Sequence, residues 1–367
     1  MAHIGIDARL THYRVGGISR YITALIAACE THSPPHKLTI LQSRKAQRPL
    51  SSCFASAKLW TPPHHPLERS ALSLELGRHR FDLLHSPDFI APRRGARRHI
   101  ITVHDLSFIR FPEYLTAESR QYYNGQIEAS VARADHILAN SQTTKDDLIA
   151  ILDVPADKIT VHLLAADERF RPLSTAQTAD ILRALDLPEQ YLLFVGTLEP
   201  RKNLAGLAKA YRDLKLDLPD APKLVVAGRL GWHYEQVLAD VSALGIDEHI
   251  LLRHAVSDEQ LPAVYSRACA IILPSFHEGF GLTALEAMAC GAVPIVSRVG
   301  ALQEIVGGVG ALVDPYNPHT IAAAMKRTLT DSDWLANQAQ QALQRAAQFN
   351  WREAARIALN CYDALVG

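Results

Sequence analysis

The 367-residue chain has room for two domains, three at most, at roughly 150 residues per domain; a chain of this size buries about three-quarters of its unfolded surface and needs no staples. Apolar residues make up 48% and charged residues 21%, which excludes a disordered chain, and the five cysteines (29, 53, 269, 290, 361), odd in number and without a CxxC, support neither a zinc ribbon nor a disulfide framework and read as reduced thiols of a cytosolic protein. The net charge of zero hides an asymmetry: residues 1–100 hold 15 Lys and Arg against 6 Asp and Glu, a balance of +9, which leaves 23 against 32 in the other 267, so the front either meets an anionic partner or reflects chance in sampling.

Met1–Asp7 reads as a strand rather than a signal peptide, and no apolar run approaches the ~18 residues of a membrane helix. Further along, apolar runs predict strands at His3–Leu10, Lys37–Gln42, Phe81–His85, Ile100–His104, His136–Asn140 and Ile159–Leu164. Helical stretches such as Ile18–Cys29 and Thr116–Arg133 lie between them, and residues 43–80 carry no usable pattern. The polar stretch Phe170–Pro188 reads as a linker into a new helix, and the alternation then restarts. Strands are expected at Tyr191–Gly196, Lys223–Gly228, Ile250–Arg253, Ala270–Pro274, Val293–Ser297 and Gly310–Val313, with helices at 203–214, 234–244, 258–267, 282–290 and 317–330. Such alternation implies parallel sheets covered on both faces, hence an α/β protein of two doubly wound, Rossmann-like domains. The boundaries read as 1–172, 173–345 and a final amphipathic helix within 346–367.

In open parallel sheets ligands bind beyond the carboxyl ends of the strands, so the residues after each strand carry the chemistry. After the first strand, Val15–Tyr21 places Gly16 and Gly17 before a helix. This lets a ligand approach the backbone at an anion-favouring helix start, or is merely a tight turn. It is not GxGxxG and no acidic residue ends the next strand, which leaves a nicotinamide enzyme poorly supported. Gly196–Asn203 (GTLEPRKN) follows a strand, and Asn203 suits the cap of the next helix. Arg201 and Lys202 at that helix start oppose the macrodipole, which a bound diphosphate would explain; two solvated side chains are the alternative.

Within Gly281–Ser297 the only charge is Glu286, on a helix apolar nearly all round and therefore buried; its carboxylate needs a nearby Lys or Arg, or a ligand, as partner. Glu278 stands eight residues earlier on a loop among Gly279 and Gly281, and both carboxylates can face one cleft. His104-Asp105 and His85-Ser86-Pro87-Asp88 follow two neighbouring strands of the first half, where His104 alone is also compatible with a structural role. Asp331-Ser332-Asp333 reads as a helix cap before Trp334, not as a metal site. Two carboxylates also suit a glycoside hydrolase, which has no need of Arg201-Lys202.

These segments together resemble the retaining glycosyltransferases of family four, which have the GT-B fold: two Rossmann-like domains facing a cleft, with a C-terminal helix crossing back to the first domain. Glu278 and Glu286 form the E-x7-E pattern within Pro274–Pro294, and GTLEPRKN, Gly228 and Ser257–Tyr265 (SDEQLPAVY) stand at matching spacings. Gly16–Tyr21 (GGISRY) and Val103–Leu106 (VHDL) look like the mannosyltransferase-like branch that builds surface polysaccharides.

The resemblance implies catalytic roles for His104, near the reacting carbon, for Glu278 on the donor-sugar hydroxyls, and for Arg201 and Lys202 on the diphosphate. It implies substrate binding by Gly17, Gly196, Val256, Gly279, Phe280, Gly281, Leu282, Thr283 and Glu286, the last on the ribose. Ser19 and His254 depart from glycine in the pattern. The activity implied is transfer of a hexose, mannose from GDP-mannose as first reading, to a glycan or lipid-linked glycan, without metal, cofactor or nucleic acid. The setting implied is the cytoplasm; from the basic front, Arg93, Arg94, Arg97 and Arg98 are expected in an exposed loop, either docking on anionic lipid at the inner face of the membrane or merely solvated. The alternatives are a UDP-sugar donor and a non-catalytic nucleotide-sugar-binding subunit.

Overall fold

The computed structural model describes residues 1–13, 16–115 and 117–367, the side chains of 117–119 and 121 excepted, so Val15 of the glycine loop and Thr116 at the expected helix start lie outside the described residues. The chain forms two compact units. The first is Met1–Arg110, Ala117–Leu164 and Asn350–Gly367; the second is Phe111–Thr116 and Ala165–Phe349.

In the first unit the strands are β1 (His3–Asp7), β2 (Lys37–Ser43), β3 (Ala55–Leu59), β4 (Phe81–Ser86), β5 (Ala96–Val103), β6 (His136–Ala139) and β7 (Ile159–Val161). They form one parallel sheet in the order β3-β2-β1-β4-β5-β6-β7. Ile4 and Ile6 of β1, and Leu83 and Leu84 of β4, are fully buried, as expected where helices cover both faces. Those helices are α1 (Leu10–Tyr13), α2 (Gly17–His32), α3 (Glu68–Leu76), α4 (Ser107–Arg110), α5 (Ala117–Arg133) and α6 (Gln142–Leu152). The segment 43–80, unassigned from sequence, supplies β3 and α3. β3 is an edge strand whose only buried side chain is Leu59, so its sequence lacks an apolar signature.

In the second unit β8 (Tyr191–Val195), β9 (Leu224–Ala227), β10 (Ile250–Arg253), β11 (Ala268–Leu273), β12 (Val293–Ser297) and β13 (Ala311–Val313) form a parallel sheet ordered β10-β9-β8-β11-β12-β13. Around it lie α7 (Thr175–Ala184), α8 (Leu204–Asp217), α9 (Tyr234–Ser242), α10 (Leu261–Ser266), α11 (Leu282–Ala289), α12 (Leu302–Val306), α13 (Pro318–Thr330) and α14 (Ser332–Ala346). Leu204, Leu207 and Tyr211 of α8 and Ile321 and Met325 of α13 bury one face against Phe194, Val226 and Ile272 of the sheet. Asp331 caps α14 by accepting from the Trp334 amide at 3.0 Å, the role read from its sequence.

The chain ends on α15 (Trp351–Val366), which belongs to the first unit and packs on α2. Ala355, Ala358, Leu359 and Tyr362 are buried as its periodicity predicts. The Tyr362 hydroxyl bonds His85 Nδ1 at 2.6 Å, while His85 Nε2 bonds the Thr102 hydroxyl at 2.8 Å, a buried polar chain that fixes the helix to β4 and β5. In each sheet the strand order reverses at one place, between β1 and β4 in the first and between β8 and β11 in the second, and those are the points where such sheets open a crevice.

Candidate active site

At the crevice of the second sheet, β8 runs into Gly196 and then the tight turn Pro200–Lys202, and β11 runs into the loop Pro274–Glu278. Asn203 fastens the two together. Its Oδ1 accepts from the Gly206 amide at the start of α8, and its Nδ2 donates to the carbonyls of Pro274 at 3.0 Å and Pro315 at 2.7 Å. The Phe276 amide donates to the Arg201 carbonyl at 2.9 Å. The turn therefore presents both cations to the loop that carries Glu278.

Lys202 Nζ lies 2.5 Å from Glu278 Oε1 and Arg201 Nη1 lies 3.4 Å from Oε2, while the Ser275 hydroxyl donates to Oε1 at 2.8 Å. Arg201 also binds Glu199 at 2.6 Å and the His277 carbonyl at 2.6 Å. The side chains of Arg201 and Lys202 are 17% exposed and that of Glu278 13%, so these are not solvated surface charges. Burial alone would push the Glu278 carboxyl upward; Lys202 and Arg201 overcome it and hold the group down at about 2. Glu199 and Glu278 pair with these cations, where the sequence alone left a bound diphosphate or two solvated side chains as the readings.

Glu286 is 2% exposed on α11, as its apolar surroundings require. The Tyr265 hydroxyl donates to its Oε2 at 3.4 Å. Its partners thus include a tyrosine of the SDEQLPAVY stretch, where sequence suggested a lysine, an arginine or a ligand. Glu278 stands on a loop beside Lys202 and Arg201, and Glu286 lies within α11. Gly281, at φ +97°, starts α11 in the left-handed region, and a Cβ there would come within 2.5 Å of Leu302. Gly279 and Phe280 precede it, both buried, and Leu282 and Thr283 form the first residues of α11, both half-buried.

Gly196, Gly228 and the Arg253–Val256 loop lie side by side after β8, β9 and β10. The Gly196 amide donates to the Ala227 carbonyl and the Gly228 amide to the Arg253 carbonyl, and a Cβ on Gly228 would fall 1.8 Å from the Gly196 oxygen. His254 turns its Nδ1 toward the Gly228 carbonyl at 3.2 Å, and Val256 is half-buried on the same loop.

In the first unit Gly16 caps α2 and Gly17 is its first residue; a Cβ on either meets nothing within 4 Å. Among the described residues no neighbour demands glycine there, and none of them fills the space over this helix start. His104 follows β5. Its Nε2 donates to the Pro87 carbonyl at 2.8 Å, its ring meets Tyr21 edge-on at 4.9 Å, and burial lowers its pKa against the opposing pull of Asp88. The imidazole is therefore neutral near pH 7, with the proton on Nε2 and an acceptor lone pair on Nδ1.

The arginine cluster differs from expectation. Arg93 and Arg94 occupy the loop before β5, but Arg97 and Arg98 lie on β5 itself, where Arg97 meets Asp82 at 3.4 Å and Arg98 meets Asp135 at 2.8 Å. No helix among the described residues is long and apolar enough to cross a membrane.

Two family models match the sequence: "Glycosyl transferases group 1" over residues 181–348 and "Glycosyltransferase Family 4" over residues 15–164. O-antigen chain mannosyltransferase B of Escherichia coli is 34% identical over 285 residues, 77% of this chain and 74% of that protein. The chain belongs to glycosyltransferase family 4.

The serotype-specific mannosyltransferase WbdA of Escherichia coli is 29% identical over 251 residues, 67% of this chain but 31% of that longer protein. Among solved structures, sucrose-phosphate synthase from Thermosynechococcus elongatus superposes with a TM-score of 0.80 at 21% identity, covering 100% of this chain and 99% of that one. WaaG, a glycosyltransferase involved in lipopolysaccharide biosynthesis, superposes at 0.76 and 15% identity, covering 98% and 99%. The fold of this glycosyltransferase is accordingly GT-B. Sequence reasoning named its charged site residues but assigned nothing to Glu199, Ser275 or Tyr265. All three lie inside quoted motifs, where their acidic and hydroxyl groups were the available signal.

Proposed function

We propose that the chain is a retaining mannosyltransferase that uses GDP-mannose and passes the sugar to a glycan or lipid-linked glycan in surface polysaccharide synthesis. The observation that carries this reading is the Arg201–Lys202–Glu278 cluster at the switch point of the second sheet, in a family member 34% identical to an O-antigen mannosyltransferase.

On binding, the diphosphate takes over Arg201 and Lys202, and Glu278 exchanges them for hydroxyls of the donor sugar. The amides at Gly279–Leu282 and Thr283 surround sugar and phosphate. Glu286 takes the ribose hydroxyls, Gly196 and Val256 frame the nucleotide, and Gly17 leaves room for the diphosphate at the start of α2. The bond between the anomeric carbon and the diphosphate oxygen breaks, the acceptor hydroxyl oxygen bonds that carbon on the same face, and its proton passes to the departing phosphate. Charge grows on the leaving group, and cations already fixed by Asn203 and the Pro200–Lys202 turn stabilise it with no metal required. His104, held neutral, contacts the sugar beside the reacting carbon. The enzyme works in the cytoplasm at the inner face of the membrane, where Arg93 and Arg94 give about 2 kcal/mol toward anionic lipid, a reversible contact.

A thermal-shift series with GDP, UDP and ADP, each with and without EDTA, tests the donor reading. Ligand at about 100 times Kd adds about 2.7 kcal/mol, a visible shift. GDP is expected to give the largest shift, unaffected by EDTA. A larger shift with UDP assigns a UDP-sugar donor instead, and a shift abolished by EDTA overturns metal independence.

A further inference from the structure

The first sheet has its own switch point, between β1 and β4, and a cavity of about 20 Å³ lies there. Its polar lining comes from Asp7 at the end of β1 and Arg9 after it, His64 before α3 and Glu68 at its start, and Ser86 at the end of β4 with Asp88 after it. A volume of this size holds about one water-sized group.

The walls are built firmly. Arg9, 1% exposed, binds Asp7 at 2.7 Å, Glu68 at 2.7 Å and the Thr61 carbonyl at 2.7 Å. Asp88 accepts from His64 Nε2 at 2.9 Å and from the Phe89 amide at 2.7 Å. Three carboxylates face one arginine, so the cavity disfavours a phosphate or a carboxylate. An uncharged group carries no such penalty.

Two polar atoms in the lining lack a partner among the described residues: the hydroxyl of Ser86, itself 2% exposed, and Nδ1 of His64. Buried polar atoms are nearly always satisfied, so each calls for one. With Nε2–H donated to Asp88, Nδ1 is the acceptor in that tautomer of the His64 ring, while Ser86 can donate. A hydroxyl of about water size, able both to donate and to accept, would satisfy both atoms. The cavity also adjoins the reaction centre, since the residue between Ser86 and Asp88 is Pro87, whose carbonyl holds His104 Nε2 at 2.8 Å.

We propose that this cavity is an acceptor subsite that takes one hydroxyl of a neutral sugar, with Ser86 donating to it, His64 Nδ1 accepting from it and Asp88 positioning His64. The inference rests on the reading of the acceptor as a saccharide and adds the residues that select it.

Saturation-transfer NMR titration of methyl α-D-mannopyranoside and methyl α-D-glucopyranoside into the full chain tests it, with inorganic phosphate as competitor and GDP affinity measured by calorimetry on the same samples. At least one glycoside is expected to bind, about 10-fold more weakly to Ser86→Ala and to Asp88→Asn, with GDP affinity unchanged and phosphate without effect. Equal binding by wild type and Ser86→Ala, binding of neither glycoside, or displacement by phosphate would overturn the proposal. Failure of the donor reading shows separately, as absent GDP binding with the glycoside titration intact.

Discussion

On the proposed reading an incoming diphosphate competes with the Glu278 carboxylate for the same two cations, and this sets the direction of two substitutions. Glu278→Gln frees Lys202 and Arg201, so GDP affinity is expected to hold or rise while turnover falls. Glu286→Gln removes the charged acceptor proposed for the ribose hydroxyls, so GDP affinity is expected to fall about 10-fold, the worth of roughly one charge-assisted bond. Calorimetry on both variants checks the pair, and an equal loss of GDP affinity in the two would remove the division of roles. Replacing Arg201 and Lys202 together with alanine is expected to lower kcat/KM by about 10²–10⁴ in a chain that still folds, at about 1.5–3 kcal/mol for each charged bond lost. Near-normal turnover in that double variant would contradict the assignment. Two glycines give a matched contrast. Gly17→Ala meets open space and should melt normally but bind donor more weakly, whereas Gly228→Ala drives a methyl to 1.8 Å from a carbonyl oxygen and should lower the melting temperature sharply. Calorimetric melting and donor KM for both variants decide it.

The seating of the Pro200–Lys202 turn on the loop before α11 depends on ionised Glu278, and that gives the pairing of these elements a pH signature. The folded group titrates at about 2 against an ordinary 4.5, so its contribution is complete above about pH 4.5 and is lost as pH falls toward 2. The depression corresponds to about 3 kcal/mol, and the melting temperature of wild type is expected to fall more steeply than that of Glu278→Gln between pH 5 and 3. Parallel melting curves across that range would refute it. The same elements show what sequence could and could not reveal. Buried strands such as Tyr191–Val195 and Leu224–Ala227 are continuous apolar runs and were legible at once, as was Asn203 in its capping role. The edge strand Ala55–Leu59 and the helix Glu68–Leu76 were not, because a half-solvated edge and a mixed nine-residue helix carry little periodicity. In the site, residue types and spacing pointed to Arg201, Lys202, Glu278 and Glu286. The balancing of those cations by Glu199 and Glu278 was hidden, because it depends on how a turn after β8 meets a loop after β11, 76 positions apart for Lys202 and Glu278.

Over the whole molecule, the two parallel sheets each carry polar groups at their own switch point, the Arg201–Lys202–Glu278 cluster in one unit and the His104–Ser86–Asp88 surroundings in the other. The exposed Arg93 and Arg94 precede β5, at the amino edge of the first sheet, while His104 follows it; eight residues at about 3.3 Å each separate these edges by roughly 25 Å. Membrane contact through these arginines is therefore expected to affect docking and not chemistry. Replacing both with glutamine should reduce co-sedimentation with anionic vesicles at low salt and leave turnover with a soluble acceptor unchanged; equal binding to neutral and anionic vesicles would exclude this contact. The central claim, retaining transfer from a nucleotide sugar by cations held ready in the second unit, meets its most direct test in a proton NMR time course of the purified chain with GDP-mannose, a mannoside acceptor and EDTA. The account predicts release of GDP with growth of an α-linked product anomeric signal. A β-linked product, or consumption of donor only after Mg²⁺ or Mn²⁺ is restored, would contradict it.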